Sequence, residues 1–168
     1  MMARYRTLAQ RIRLELDDLE RTQRAILRHW ESAHAVTIDQ DAYLNSVALN
    51  LHGWYSGFER MFELIAIEID GGALGSEAWH TELLRQMALD LPETRPPVIQ
   101  HETAAKLDEY RKFRHRIRNI YAASLDPARI QPLVEGLAGL SDELHREMSM
   151  FLAFLAALSE TDASSDLT

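Results

Sequence analysis

Apolar residues recur every three or four positions along most of the chain, which is the spacing of amphipathic α-helices. One stripe begins at Tyr5 and ends at Trp30, and it predicts a first helix over about 3–33. A second stripe, from Tyr43 to Ile69, predicts another long helix. No segment alternates convincingly between apolar and polar residues with period two, so the pattern predicts no strands.

Glycine and proline mark where the next elements start and stop. Gly71 and Gly72 follow the second stripe and favour a helix C-terminus there. Ser76 is a candidate N-cap for a short third helix over about 77–90. The segment LPETRPP then holds three prolines, which are incompatible with a helix interior.

The second half of the chain predicts further helices. A fourth covers about 99–122, and Asp126 followed by Pro127 indicates the start of a short helix over about 127–135. We expect two glycines to break the pattern and a serine to cap a last helix: Gly136, Gly139 and Ser141.

Amphipathic helices joined by short loops predict an all-α fold, an elongated antiparallel bundle of about five to six helices that forms a homodimer. Gly53 and Gly57 lie inside the second helix and are candidates for close approach by a neighbouring helix. We expect the helical domain to occupy 1–158 and the polar segment 159–168 to be a disordered tail.

Composition limits the class of protein. The chain has 168 residues, enough for one domain with a sizeable core. It has no cysteine, which excludes disulfides, thiolate metal sites and a cysteine nucleophile. Neither a spanning apolar run nor a secretory leader is apparent, so we expect a cytoplasmic protein with no membrane partner.

The charge is unevenly distributed. The net charge is −8, yet five of the eight residues in 111–118 are Arg or Lys, and His115 lies among them. The other 13 basic residues face 26 acidic ones, so the rest of the chain carries −13. A basic segment in an acidic protein indicates a phosphate-binding surface, although a solvated helix face in an arginine-rich chain would look the same.

On a helical wheel, three arginines of the basic segment cluster on one side of the fourth helix. Arg111, Arg114 and Arg118 fall within about 60° of one another at 100° per residue, and Tyr110 and Tyr121 lie on the same side. Arginine suits bidentate phosphate contacts, and tyrosine can stack on a base. The alternative for each tyrosine is a structural role at the edge of the core.

The stretch 113–121, FRHRIRNIY, followed by Leu125 and Asp126, resembles the signature helix of the HEPN superfamily. More closely, it is similar to HepT-like ribonuclease toxins that are paired with minimal nucleotidyltransferase (MNT) antitoxins. The resemblance covers about 1–158, with further similar segments at 51–71, 79–90 and 127–137.

The resemblance implies roles for individual residues. The family motif is an arginine, four residues, a histidine, one residue and a tyrosine. Arg114, Asn119 and Tyr121 occupy its three catalytic positions, so asparagine stands where the family has histidine. An amide does not titrate and can only hydrogen-bond, whereas histidine can accept a proton near neutral pH. The implied RNA-binding residues are Arg111, His115 and Arg118.

Three explanations of Asn119 are open. The chain is a natural inactive member that only binds, or it carries an engineered His-to-Asn change, or another histidine serves, with His115 nearest in sequence. Positions 114 and 119 also point about 140° apart on one helix. Two copies of the helix across a twofold axis would bring Arg114 of one to Asn119 of the other.

The resemblance thus implies the toxin of a toxin–antitoxin system. The activity it implies is a metal-independent endoribonuclease acting on tRNA, without a cofactor and without DNA as a partner. The implied partners are a second copy, RNA and a cognate MNT nucleotidyltransferase that neutralises the toxin by adenylylating Tyr121. The alternative is a catalytically inactive helical module that binds the nucleotidyltransferase or RNA without cleaving.

Other candidate residues have ordinary explanations. His52 and Glu59 are seven residues apart. Either both face the cleft between the two facing helices of the dimer, or His52 is a packing residue and Glu59 a solvated acid. Trp79 is expected to be a core anchor and His80 a surface or capping residue. No HExxH, glycine-rich phosphate loop or GxSxG is present, so metal-dependent hydrolysis, nucleotide hydrolysis and serine-hydrolase chemistry have no support.

Overall fold

A computed structural model describes residues 2–72, 75, 78–117 and 125–165, with side chains described over 3–160. Within that part of the chain there is no β-strand, only one isolated bridge between Leu91 and Arg95. The predicted all-α helical bundle is therefore confirmed. Its five helices are α1 (Met2–Ala35), α2 (Gln40–Glu68), α3 (Trp79–Met87), α4 (His101–Ile117) and α5 (Pro127–Ser165).

Helices α1 and α2 form a long antiparallel hairpin joined by 36–39. Arg4 Nε lies 2.6 Å from Glu68 Oε2 at one end, and His29 Nδ1 lies 2.6 Å from Ser46 Oγ near the other. At 1.5 Å per residue the 34-residue α1 is about 50 Å long. The hairpin supplies the long axis of the bundle.

The apolar stripes of the sequence meet in the core. Leu8, Ile12, Leu16, Leu19 and Ile26 of α1 are buried.

The α2 stripe contributes a chain of aromatic contacts. The Trp54 and Phe58 ring centroids are 4.8 Å apart, and Trp54 is 5.2 Å from Tyr110 of α4. Phe58 continues to Phe62 at 6.1 Å. These contacts fix α4 against α2 at Tyr110, one residue before the basic segment 111–118 begins.

Gly57 confirms the predicted close approach of helices. A Cβ there would collide with Leu19 and lie 2.8 Å from Glu15 Oε1, so α1 passes against the bare backbone. Gly53 does not have this role, because a Cβ there would meet nothing within 4 Å.

Two predicted helix ends are confirmed. After α2, Gly71 adopts φ 92°, a conformation that favours glycine, and the Gly72 N–H donates to Ala66 O at 3.1 Å. Before α5, Asp126 Oδ1 accepts from the Ala128 N–H at 3.0 Å, and Pro127 is the first helical residue.

The predicted break at Gly136 and Gly139 is wrong. Helix α5 is continuous over 39 residues, and Ser141 lies within it. The buried Ser141 Oγ donates to Gln23 Oε1 on α1 at 2.5 Å instead of capping a helix. Glycine costs only about 1 kcal/mol in a helix interior, and packing against α1 and α4 offsets that cost.

Smaller differences concern helix bounds. Helix α3 is shorter than predicted, with Ala78 at the N-cap position, and Ser76 lies outside the described residues. The described part of α4 ends at Ile117, so 118–122 also lie outside. Helix α5 includes the polar segment up to Ser165, and the 1–158 domain boundary stays a prediction.

Candidate functional site

Arg114 lies in the last turn of α4 with its guanidinium turned toward α2. Its Nη1 donates to Glu59 Oε1, and its Cζ lies 5.8 Å from the ring centroid of Tyr55. The Arg114 side chain is 16% exposed and that of Glu59 only 7%. A carboxylate and an aromatic face thus hold the predicted phosphate-binding arginine at the edge of the core.

The same carboxylate also binds a histidine from a third helix. Glu59 Oε2 lies 2.6 Å from His80 Nδ1. The His80 ring stacks on Trp79, with centroids 3.7 Å apart, and its side chain is 30% exposed. Arg114 and His80 therefore converge on the two oxygens of Glu59 although they lie on different helices.

Glu59 thus lies beside Arg114 and is not a solvated acid. His80 is neither a cap nor an isolated surface residue, so that expectation was wrong. The sequence carried a weak signal for each. Glu59 is four residues after the buried Tyr55, and His80 is four residues before the buried Leu84, so both share a face with core positions.

Tyr55 forms the floor beneath Arg114. Burial raises its pKa far above the ordinary value, and the nearby Glu59 carboxylate raises it further. Arg111 and Arg114 oppose this effect without cancelling it. The phenol therefore stays neutral and serves as a rigid aromatic surface.

Acidic side chains neutralise much of the basic segment. Arg111 Nε lies 2.6 Å from Asp108 Oδ1, and Lys112 Nζ lies 3.1 Å from Asp108 Oδ2 and 2.7 Å from Glu109 Oε1. Burial works to raise the pKa of Asp108, but hydrogen bonds from Arg111 and Lys112 outweigh it and hold the pKa below the ordinary value. The segment is thus less positive than its sequence indicates.

The structure places the other predicted residues as follows. His115 and Arg116 are exposed at the end of α4. Tyr110 is buried and donates to Leu133 O at 2.7 Å, so it faces the core and does not belong to an arginine–tyrosine stripe.

The remaining predicted site residues, Arg118, Asn119 and Tyr121, lie outside the described residues.

A small cavity of about 30 Å³ lies where these elements meet, lined by His80, Arg111, Arg114 and His115. It has room for about one or two water molecules and none for a nucleotide. The structure thus brings together three of the predicted residues, Arg111, Arg114 and His115, with His80.

A larger cavity of about 630 Å³ opens elsewhere, between α4 and α5. Leu133, Gly136 and Leu140 line it, and the Lys106–Glu143 ion pair lies beside them. None of the predicted catalytic or RNA-binding residues that the structure describes lines this cavity.

Comparison with known proteins identifies the family. The family model described as HepT-like protein matches residues 46–155, which include most of α2, all of α3 and α4, and most of α5. The chain belongs to the HepT-like family of the HEPN superfamily. Neither a search of curated proteins nor a search of solved structures finds a match.

The family indicates a class of activity. HEPN-superfamily proteins are generally ribonucleases, and HepT-like proteins are usually part of toxin–antitoxin systems. The Glu59–Arg114 contact falls within the matched residues. No helix in the described part of this HepT-like protein is long and apolar enough to cross a membrane. Those same residues contain no group of three His, Asp or Glu side chains placed to hold a metal ion.

Proposed function

We propose that this HepT-like protein is a metal-independent endoribonuclease, the toxin of a toxin–antitoxin pair, with tRNA as its substrate. The observation that carries the proposal is the placement of Arg114. A guanidinium has five N–H donors, so the bond to Glu59 leaves donors for a phosphate. Held against Tyr55 and Glu59, the arginine is already ordered before RNA arrives, which favours stabilisation of developing charge on phosphate.

The other predicted residues complete this site. Arg111, His115 and Arg118 bind neighbouring RNA phosphates in the proposal. Asn119 orients a group by hydrogen bonding, because its amide cannot take a proton. Cleavage needs no cofactor.

The active form in this proposal is a homodimer. The cavity beside Arg114 is far too small for a nucleotide, so the described residues of one copy form a shallow surface for phosphate. Positions 114 and 119 also point apart on one helix. A second α4 across a twofold axis would form the other wall of the cleft and double its positive charge.

Neutralisation would act on Tyr121. An MNT partner adenylylates this tyrosine in the proposal, which adds bulk and a negative charge beside the basic segment. Both effects exclude an RNA phosphate.

Cleavage of purified tRNA tests the proposal. The unmodified chain, checked by intact mass for an AMP adduct, is compared with Asn119→His and Arg114→Ala in buffer containing EDTA. Arg21→Ala is the matched control, because Arg21 is an exposed arginine on α1 whose ion pair, with Asp18, lies within its own helix. We expect cleavage by the chain and by the Arg21 variant, and loss of cleavage in Arg114→Ala.

Asn119 favours a second candidate, a module that binds RNA or the nucleotidyltransferase without cleaving. Cleavage by Asn119→His alone would mean that the fold is a nuclease and this chain a disabled copy. If neither form cleaves while unmodified, the nuclease proposal fails for tRNA, and tRNA binding without cleavage supports the module.

A further inference from the structure

The contact between Glu59 and His80 places a titratable group beside the proposed phosphate site. We infer that His80 is the proton-transfer residue of this nuclease and that Glu59 positions it. The inference rests on the proposed function and adds to it the general base that Asn119 cannot supply.

The hydrogen bond fixes the histidine's tautomer. Glu59 is a buried carboxylate with one oxygen bonded to Arg114, and an ionised carboxylate only accepts hydrogen bonds. His80 Nδ1, 2.6 Å away, must therefore carry the proton. In the neutral ring the lone pair then lies on Nε2, as in carboxylate–histidine pairs that prepare a base.

The position of the ring suits the role. His80 lines the same cavity as Arg114, and its 30% exposed side chain is open to solvent in part. The stack on Trp79 and the bond to Glu59 restrain the ring at two points. A phosphate bound by Arg114 would thus bring an adjacent ribose to the ordered side chain of His80.

The other candidate histidine has a weaker case. His115 lines the cavity too, but it is exposed at the end of α4, whereas His80 is partly buried and bonded to Glu59. Among the described residues, the titratable and charged groups beside His80 are Glu59 from α2 and Arg111, Arg114 and His115 from α4.

The proposed step balances without a metal. His80 Nε2 takes the proton of the ribose 2′-hydroxyl, and the 2′-oxygen forms a bond to phosphorus. The bond from phosphorus to the 5′-oxygen breaks, and that oxygen takes a proton from water. His80 then releases its proton to the solvent. The products are a 2′,3′-cyclic phosphate end and a 5′-hydroxyl end.

The test compares tRNA cleavage by the full chain, His80→Gln, His80→Ala and Glu59→Gln, with His34→Gln as the control. His34 is an exposed histidine at the end of α1, far along the hairpin from α3. We expect kcat to fall about 100-fold or more in His80→Gln with KM little changed. In His80→Gln the acidic limb of the pH–rate profile should also be absent. Added imidazole should restore activity to His80→Ala.

A measurement that needs no activity accompanies it. Nitrogen-15 NMR of the His80 ring should show a protonated Nδ1 and an unprotonated Nε2 in the neutral form. A dominant Nε2–H tautomer would overturn the inference, as would full cleavage by His80→Gln. Either result leaves the nuclease proposal standing if the unaltered chain cleaves. If the unaltered chain cleaves no RNA, the proposed function and the role of His80 fall together.

Discussion

Arg95 and Asp70 form a two-point ion pair in the interior of the protein. Arg95 Nε lies 2.6 Å from Asp70 Oδ1, and Nη2 lies 2.7 Å from Oδ2. The side chains are 0% and 3% exposed. The same guanidinium donates to the carbonyls of Leu89, Pro96 and Gln86. One arginine therefore ties the proline-rich loop after α3 to the end of α2.

Removing this arginine should destabilise the protein strongly. Arg95→Met would leave the Asp70 carboxylate buried, and the amide of Gln86 would be its one remaining side-chain partner among the residues that the structure describes. We expect a loss of about 3–5 kcal/mol in the free energy of unfolding, measured by urea denaturation. Arg4→Met is the matched control, since its pair with Glu68 is largely exposed. That change should cost no more than about 1 kcal/mol. Equal losses in the two variants would contradict the account.

Two glycines of α2 give opposite predictions. Gly57→Ala places a methyl group against Leu19 and Glu15, so we expect a loss of about 1–3 kcal/mol. Gly53→Ala meets open space in the same helix and should stabilise it by about 0.5–1 kcal/mol. Thermal unfolding of both variants checks the sign. Stabilisation by Gly57→Ala would mean that α1 lies farther from α2 than the structure shows.

The continuity of α5 is testable at Gly139. A Cβ there meets nothing within 4 Å, so Gly139→Ala should stabilise the helix by about 0.5–1 kcal/mol. Gly71→Ala, at φ 92°, should instead destabilise by about 1 kcal/mol or more. Chemical denaturation measures both. If the helix instead ended at Gly139 with that residue in the left-handed conformation, Gly139→Ala would destabilise the protein.

Two buried tyrosines should make the fold sensitive to alkali. Burial raises the pKa of Tyr55 and of Tyr110 above the ordinary value near 10. Each hydroxyl stays protonated in the folded chain while it ionises in the unfolded chain. The stability they confer is thus complete below the unfolded pKa near 10 and is lost progressively as the pH rises from there towards the higher pKa of the folded chain.

Denaturation at a series of pH values measures this effect. The free energy of unfolding should fall above about pH 10, by up to about 1.4 kcal/mol per pH unit for each tyrosine. Tyr55→Phe should roughly halve the slope that the pair contributes. The prediction would be refuted if the free energy of unfolding stayed constant up to about pH 12. It would also be refuted if an absorbance titration showed both phenols ionising before the protein unfolds.

The fold followed from local patterns where a helix depends on its own residues. The sequence predicted the α1 and α2 stripes, the helix end at Gly71 and the N-cap at Asp126. It could do so because periodicity, backbone freedom and capping act over a few residues. The glycines of α5 were misread. Whether glycine ends a helix depends on what packs beside it, and for α5 that includes Gln23 of α1 and Tyr110 of α4.

The candidate site was likewise predicted only in part from the sequence. Arg114 was predicted from its motif and its wheel position, both of which are properties of one helix. The contacts that hold it were not predicted, since Glu59 lies 55 residues before Arg114 and 21 residues before His80. The sequence by itself determined the long helices α1 and α2, the basic segment and the family. Tertiary packing alone decided that a buried carboxylate joins arginine to histidine, because only the folded core brings α2, α3 and α4 within hydrogen-bonding distance.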